Sequence, residues 1–183
     1  MPFGPKRRFL KNGPKAANAL LANWALSGIV NVMTGFPFTP QLGYNPTGNG
    51  DTRNPVRPNW NSDFQGKLYP HTPGKWFEPA AFSPPAPGTY GNVSRNSLTG
   101  PGSSELDFSA AKSAHLTEHL GLQFRAEFFN ILNHTNFSTP NPVVYATAPT
   151  DVPFTLDVSP TGGVITATAT TSRQIQFGAK LQF

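Results

Sequence analysis

The last eleven residues, 173–183, alternate apolar and polar side chains without a break and end on an aromatic residue. A repeat of two residues indicates an extended strand, and about ten residues is the length of one tilted strand across a bilayer. The face opposite the apolar one is polar and nearly uncharged, which suits a water-filled lumen. A half-buried strand of a soluble sheet has the same alternation, so this segment alone leaves both structures open. The apolar face carries Ile175, Phe177, Ala179, Leu181 and Phe183.

Composition excludes other ways of crossing a membrane. The chain contains 20 Pro, 17 Gly and 15 Phe in 183 residues, so its apolar side chains lie in short segments between polar stretches. Disorder alone does not explain so many aromatic residues. No run of about eighteen apolar residues exists, because Asn23, Ser27, Gly28 and Asn31 interrupt the most apolar stretch, 19–32. The sequence predicts no transmembrane helix and leaves a barrel as the spanning structure.

The net charge of +5 does not indicate nucleic-acid binding. Five of the 14 basic residues lie in the first fifteen positions, and the other nine equal the 9 acidic residues in number. The aromatic residues lie on strand faces instead of alternating with Lys and Arg, so we expect no nucleic-acid partner. The chain has no Cys, which excludes disulfides, thiol catalysis and Cys-rich zinc sites.

Three further stretches repeat the alternation of the carboxy-terminal segment. Together the four stretches predict strands at about 22–38, 105–116, 122–132 and 173–183. The connection at 117–121 is short enough for a hairpin. We therefore expect an all-β fold built as an antiparallel meander.

The connections between these strands alternate strictly between short and long. The short ones are 4–20 and 117–121, and the long ones, about 39–103 and 133–172, are rich in Pro, Gly and Asn. Long structureless loops are uncommon in compact soluble domains, whereas outer-membrane barrels pair short periplasmic turns with long extracellular loops. The sequence thus predicts part of a large transmembrane barrel with both long loops outside the cell.

That orientation places particular aromatic residues at the two membrane interfaces. Trp24 is expected near the periplasmic rim, and Phe36 and Phe38 near the outer rim, where aromatic girdles occur. Residues 1–15 carry the charges of a signal peptide without its apolar core. Since a barrel protein must be exported, we expect the chain to be the carboxy-terminal piece of something longer.

A set of short stretches carries a more specific pattern. They are Pro-Phe-Gly at 2–4, Trp-Ala-Leu-Ser-Gly-Ile at 24–29, Thr-Gly-Phe-Pro-Phe-Thr at 34–39, Trp-Phe-Glu-Pro-Ala-Ala-Phe at 76–82, Gly-Thr-Tyr-Gly-Asn at 88–92, Arg-Asn-Ser-Leu at 95–98, Gly-Pro-Gly at 100–102, Leu-Asp-Phe-Ser at 106–109, Arg-Ala-Glu-Phe-Phe-Asn-Ile-Leu-Asn-His at 125–134, and Phe183. In this order they resemble the carboxy-terminal barrel region of TonB-dependent outer-membrane receptors. The similarity is to the Oar-like group, which carries an amino-terminal carboxypeptidase-regulatory-like domain.

The resemblance implies a bacterial outer-membrane protein that takes up a bulky nutrient. Such a receptor has a barrel of about twenty-two strands around a plug and draws energy from an inner-membrane complex. The chain lacks the plug, the energy-coupling box and most of the strands, so we do not expect it to transport alone. Implied partners are lipid, the rest of the barrel, the plug, the energy-coupling complex and the barrel-assembly machinery, for which Phe183 would be the assembly signal.

We expect no enzyme activity, cofactor or metal. His115 and His119 are four residues apart, but a strand and turn do not place them on one face as a helix would, and His71 and His134 form no zinc-type pair. Glu105 and Asp107 share a strand face and could mimic an acid/base pair. Lumen-facing carboxylates opposed by a cation on the neighbouring strand, Arg125, explain them better.

The aromatic residues of the first long loop leave two interpretations open. An exposed aromatic surface beside Asn and Gly suits carbohydrate or peptide capture, whereas aromatics that pack the loop onto itself would form a lid. These residues are Trp60, Tyr69, Trp76, Phe77 and Tyr90.

The alternative for the whole chain is a secreted β-sandwich that binds carbohydrate or peptide, such as an adhesion module. In a sandwich, the Phe side chains at positions 108, 124, 128 and 177 would pack against a second sheet of the same chain.

Overall fold

The structure, a computed structural model, describes Pro14 and residues 20–51, 53–118, 120–148, 150–151, 154–155 and 158–183. Its contacts divide the chain into two units. The sheet unit contains the described residues up to Val32 together with Ser104–Thr135 and Thr171–Phe183. The loop unit contains Met33–Ser103 and Asn136–Thr170. In the described part, no helix is long and apolar enough to cross a membrane.

The named elements of the described residues are strands, apart from one 3₁₀ turn at Pro79–Ala81. In chain order the strands are β1 Trp24–Met33, β2 Pro37–Phe38, β3 Gln41–Leu42, β4 Asn59–Trp60, β5 Phe82–Ser83, β6 Leu98–Thr99, β7 Ser103–His115, β8 Gly121–Phe129, β9 Val143–Tyr145, β10 Thr150–Asp151, β11 Phe154–Thr155 and β12 Gln174–Gln182.

The four long strands form one sheet in the order β1-β7-β8-β12. Strand β8 pairs antiparallel with β7 on one side and with β12 on the other. Strand β1 runs antiparallel to β7, because Ser113 N–H donates to Asn23 O at one end while Gly28 lies beside Asp107 further along. The expected antiparallel meander is therefore present, and in the described ranges the sheet is open, with β1 and β12 as its outermost strands.

The strands end close to their predicted limits except at one place. Strand β1 stops at Met33 instead of continuing to 38, because Pro37 and Phe38 leave the sheet and pair with β6 as a separate ribbon. The predicted short connection at 4–20 lies outside the described residues apart from Pro14 and Leu20.

The long loops are not structureless, which corrects the expectation from composition. Their short strands form two-stranded pairs, and β3 pairs in parallel with β9, so the first long loop is hydrogen-bonded to the second. A hydrophobic core lies inside the loop unit, with two wholly buried rings, Phe77 and Phe82, packed edge to face at 6.0 Å. Its buried members are Leu42, Val56, Phe77, Ala81, Phe82, Val93, Leu98, Val144 and Tyr145.

The turn that follows β8 is organised by the side chain of Asn130. This residue is 1 % exposed and has a φ of 49°, in the left-handed region that Asn tolerates better than most residues. Its Nδ2 donates to the carbonyls of His134 and Thr171 at 3.0 and 3.1 Å, and its Oδ1 accepts the His134 N–H at 3.0 Å. The side chain therefore ties the end of β8 to the chain entering β12.

We predict that Asn130→Ala destabilises the protein more than Asn130→Gly. Both changes remove the buried hydrogen bonds, at a cost of about 1–3 kcal/mol. Only Ala adds the left-handed backbone penalty, roughly 1–2 kcal/mol. The free energy of unfolding in urea, measured on the full-length protein refolded into detergent micelles, checks this. Equal unfolding free energies for the two variants would contradict the conformational part of the argument.

Candidate functional site

The sheet has one apolar and one polar face, as the alternation predicted. The register places Phe108, Phe128 and Ile175 side by side on one face. The residues two positions further along each strand are neighbours on the same face in the same way. On the other face, Ser109, Glu127 and Gln176 are neighbours. The apolar face of β7, β8 and β12 carries Phe108, Ala110, Lys112, Ala114, Leu122, Phe124, Ala126, Phe128, Ile175, Phe177, Ala179 and Leu181.

The phenylalanines of this face pair across neighbouring strands; Phe108 and Phe128 are partly buried, and Phe124 and Phe177 are exposed. Phe124 stacks on Phe177 with ring centroids 6.0 Å apart, and Phe108 lies 6.3 Å from Phe128. Phe124 is 43 % exposed and Phe177 is 65 % exposed. Rings that filled the core between two sheets would be buried. The arrangement therefore contradicts the β-sandwich alternative and leaves an apolar face open to its surroundings.

One cation stands on the apolar face, and the protein accommodates it locally. Lys112 Nζ donates to the carbonyls of Ala22 and Leu20 at 2.8 and 3.2 Å and lies 5.2 Å from the centre of the Trp24 ring. Trp24 Nε1 donates to the same Leu20 carbonyl at 2.8 Å. A long side chain with its charge drawn toward polar groups at the end of a strand is typical of a membrane interface. Sequence analysis placed Trp24 near the periplasmic rim but did not identify its contact with Lys112.

The polar face differs from the prediction in its charge pairing. Register places Arg125 opposite Ala111, not opposite Glu105 or Asp107. Arg125 instead forms an ion pair with Glu127 on its own strand, at 3.4 Å. Asp107 Oδ1 accepts the backbone N–H of Asn130 at 2.9 Å, so this carboxylate supports the turn after β8.

The three histidines in the described ranges, His71, His115 and His134, have different surroundings. His71 stacks on Tyr69, with ring centroids 5.2 Å apart, and contacts Trp76 at a tilt, with centroids 4.8 Å apart. His134 Nδ1 lies 3.4 Å from Ser104 Oγ, and His115 is the last residue of β7. His119 lies outside the described residues. Across the described part of the chain, no group of three His, Cys, Asp or Glu side chains is placed to hold a metal ion.

Most aromatic residues of the first long loop pack the loop unit onto itself. Phe77 is wholly buried and packs on Phe38, with centroids 5.7 Å apart, so Phe38 is not part of an outer aromatic rim as expected. Trp76 Nε1 donates to Thr99 O at 2.9 Å, and Thr99 N–H donates to the Tyr69 hydroxyl oxygen at 3.0 Å.

Three aromatic residues of the loop unit stay largely exposed. Phe36 and Tyr90 are each 67 % exposed, and Trp60 is 41 % exposed. Packing within the loop unit therefore accounts for Tyr69, Trp76 and Phe77, whereas Trp60 and Tyr90 keep exposed ring surface.

A polar turn at 45–54 borders a cavity of about 370 Å³ in the loop unit. Asp51 accepts the backbone N–H of Arg53 at 2.9 Å and the Asn54 amide at 2.7 Å, which lowers the pKa of its carboxyl below the ordinary value. Burial raises the pKa of Tyr44, another cavity residue, above its ordinary value. Because the Asp51 carboxylate is already occupied by donors, the cluster stabilises the turn and offers no vacant acid/base pair.

The open edges of the sheet complete the description. Within the described part of the chain, β12 pairs with β8 alone and β1 with β7 alone, so no described strand pairs with the backbone donors and acceptors on their outer sides. Phe183, the expected assembly signal, is fully exposed beyond β12. Such edges require further strands if the sheet lies in a bilayer, because lipid offers no hydrogen-bond partners.

Comparison with known proteins gave one match. A family model described as "Outer membrane beta barrel domain" matches residues 1–176. No curated protein and no solved structure matches the chain.

We predict that charge is destabilising at one of two adjacent positions of β12 and nearly neutral at the other. Phe177→Arg places a charge on the apolar face and should lower the free energy of unfolding by about 2–4 kcal/mol in lipid vesicles if it lies near the bilayer midplane. The matched change on the polar face, Gln176→Arg, should stay within about 0.5 kcal/mol. Urea titration of the full-length protein in vesicles measures both. Equal losses of unfolding free energy in the two variants would show that both faces contact the same medium.

Proposed function

The chain belongs to the outer membrane beta barrel domain family, and from that membership we propose that it forms the carboxy-terminal part of a TonB-dependent receptor for a bulky nutrient. It lies in the bacterial outer membrane, where the apolar face of the sheet contacts lipid. The receptor assignment is narrower than the family, and it rests on the Oar-like motifs and on the form of the two units.

The observation that carries the proposal is the open sheet with a large folded loop unit. Among the described residues, strands β1 and β12 each have a strand neighbour on one side only, which is what a segment of a wider barrel would show. The loops between its strands contain their own hydrophobic core, which short connecting loops would not need. A wide barrel with structured loops suits capture of a ligand too large for simple diffusion.

The partners of such a receptor follow from the same proposal. The remaining strands would pair with β1 and β12, the plug would occupy the lumen beside the polar face, and an inner-membrane complex would supply energy. We assign Phe183 to recognition by the barrel-assembly machinery. We also propose that the chain has no catalytic activity, since the carboxylates at 51, 107 and 127 all accept hydrogen bonds or ion pairs within the fold.

Cysteine labelling of intact cells tests the orientation. The chain has no Cys. In single Cys variants of the full-length protein, no native thiol of these 183 residues therefore reacts with the label. Ser62→Cys, at an exposed position in the loop unit, should react with a membrane-impermeant maleimide. The matched variant Glu118→Cys, in the exposed turn between β7 and β8, should react only after the membrane is opened. Labelling of Glu118→Cys on intact cells would reverse the proposed topology.

Uptake measurements test the transport function. Cells that make the full-length protein are supplied with bulky nutrients such as ferric siderophores, cobalamin or oligosaccharides, with the energy-coupling complex present or deleted. Uptake of at least one nutrient should require both the protein and the complex. Uptake that persists without the complex would identify a passive barrel, and the receptor proposal would then be wrong.

A further inference from the structure

Trp60 of the loop unit forms a rigid aromatic platform on the protein surface. Its ring stacks on Phe82 with centroids 4.9 Å apart and planes at 28°. Phe82 is wholly buried in the loop-unit core, whereas Trp60 is 41 % exposed. One face of the indole is therefore held by the core, and the exposed surface belongs to the opposite face and the ring edges. A large exposed aromatic side chain fixed in this way loses little conformational entropy when a ligand stacks on it.

The amide of Asn92 is fixed at the backbone of the platform residue, Trp60. Asn92 Oδ1 accepts the backbone N–H of Trp60 at 2.9 Å, and Asn59 Oδ1 in turn accepts the backbone N–H of Asn92 at 2.9 Å. Only the oxygen of a carboxamide accepts from an N–H, so the contact determines which way the Asn92 amide faces. Its Nδ2 carries two N–H donors to which no described residue offers an acceptor. An oriented amide donor thus belongs to the residue that holds the Trp60 backbone.

We propose that Trp60 and Asn92 bind a neutral oligosaccharide, with one sugar ring stacked on the exposed indole face and a ring hydroxyl accepting from Asn92 Nδ2. A sugar ring has an apolar C–H face and a rim of hydroxyl groups, which matches a flat aromatic surface flanked by an amide donor. The groups that hold the platform, Phe82, Asn59 and Asn92, carry no charge, which favours an uncharged ligand. The inference rests on the receptor proposal, because it names the class of substrate that the receptor would take.

A peptide fits this surface less well. Peptide capture uses a free strand edge, a groove for several side chains or a charged cluster. Strand β4 is not free at this point, because Asn61 N–H donates to Ala81 O on one side and Asn92 occupies the other. The backbone therefore offers no strand edge for a peptide.

Direct binding measurements test the site. The full-length protein in detergent micelles is titrated with cellohexaose, maltohexaose, chitohexaose and xylohexaose, and with an apolar hexapeptide, by calorimetry. At least one sugar should bind, and Trp60→Ala should weaken it roughly tenfold or more. Asn92→Asp keeps an oxygen for the Trp60 N–H but lacks the amide donors, so it should weaken binding several-fold. Phe36→Ala, which removes another exposed ring of the loop unit, is the matched control and should leave affinity unchanged.

Several results would overturn the inference. They are failure of all four sugars to bind, sugar affinity that survives both Trp60→Ala and Asn92→Asp, and binding of the hexapeptide at this site instead. If Trp60→Ala lowers the melting temperature, its loss of affinity could come from unfolding, and the sugar affinity of Asn92→Asp then decides the test. The receptor proposal fails separately, because sugar binding without energy-dependent uptake would refute transport and leave the site intact. Energy-dependent uptake of a nutrient without sugar binding would refute the sugar site and leave the receptor proposal intact.

Discussion

The pairing of β8 with a neighbour on each side is the constraint on which the sheet depends. Its register with β7 and β12 aligns Phe128 with Phe108 and Ile175, and so determines what each face of the sheet presents. A shift by one residue would exchange the faces along the whole strand. The buried Asn130 side chain secures this register at the end of β8, because it binds the carbonyl of Thr171 just before β12 begins. A local turn thus maintains an apolar face made by strands distant in sequence.

The two units differ in where they place their apolar side chains. The loop unit buries Phe77, Phe82 and Val144 in a core, as any domain in water must. The sheet unit leaves Phe124 and Phe177 exposed, which in water would be an unfavourable patch and in lipid is an ordinary surface. An outer-membrane barrel with a folded loop unit accounts for both arrangements in one chain. The same loop core also supports the Trp60 platform from which we infer carbohydrate binding.

Sequence reasoning succeeded where a property repeats along one strand and failed where it depends on contacts between segments. Alternation assigned Ile175, Phe177 and Leu181 to one face of their strand, because the side-chain period of a strand follows from backbone geometry. It wrongly paired Arg125 with Asp107, because the sequences of two strands do not show how far one is offset from the other. It placed Phe38 at an outer rim, although Phe38 contacts Phe77, a residue nearly forty positions away.

The sequence by itself therefore determined the strands, their two faces and their likeness to barrel proteins, since these arise from local backbone geometry and from a period of two. Only the tertiary structure decided the register, the partner of each charge and the folding of the long loops. Pro, Gly and Asn mark where a chain turns, but the core of the loop unit arises when Leu42 meets Tyr145 across a parallel pairing of two separate loops. Such long-range contacts depend on the whole chain, because loop closure and burial are decided together.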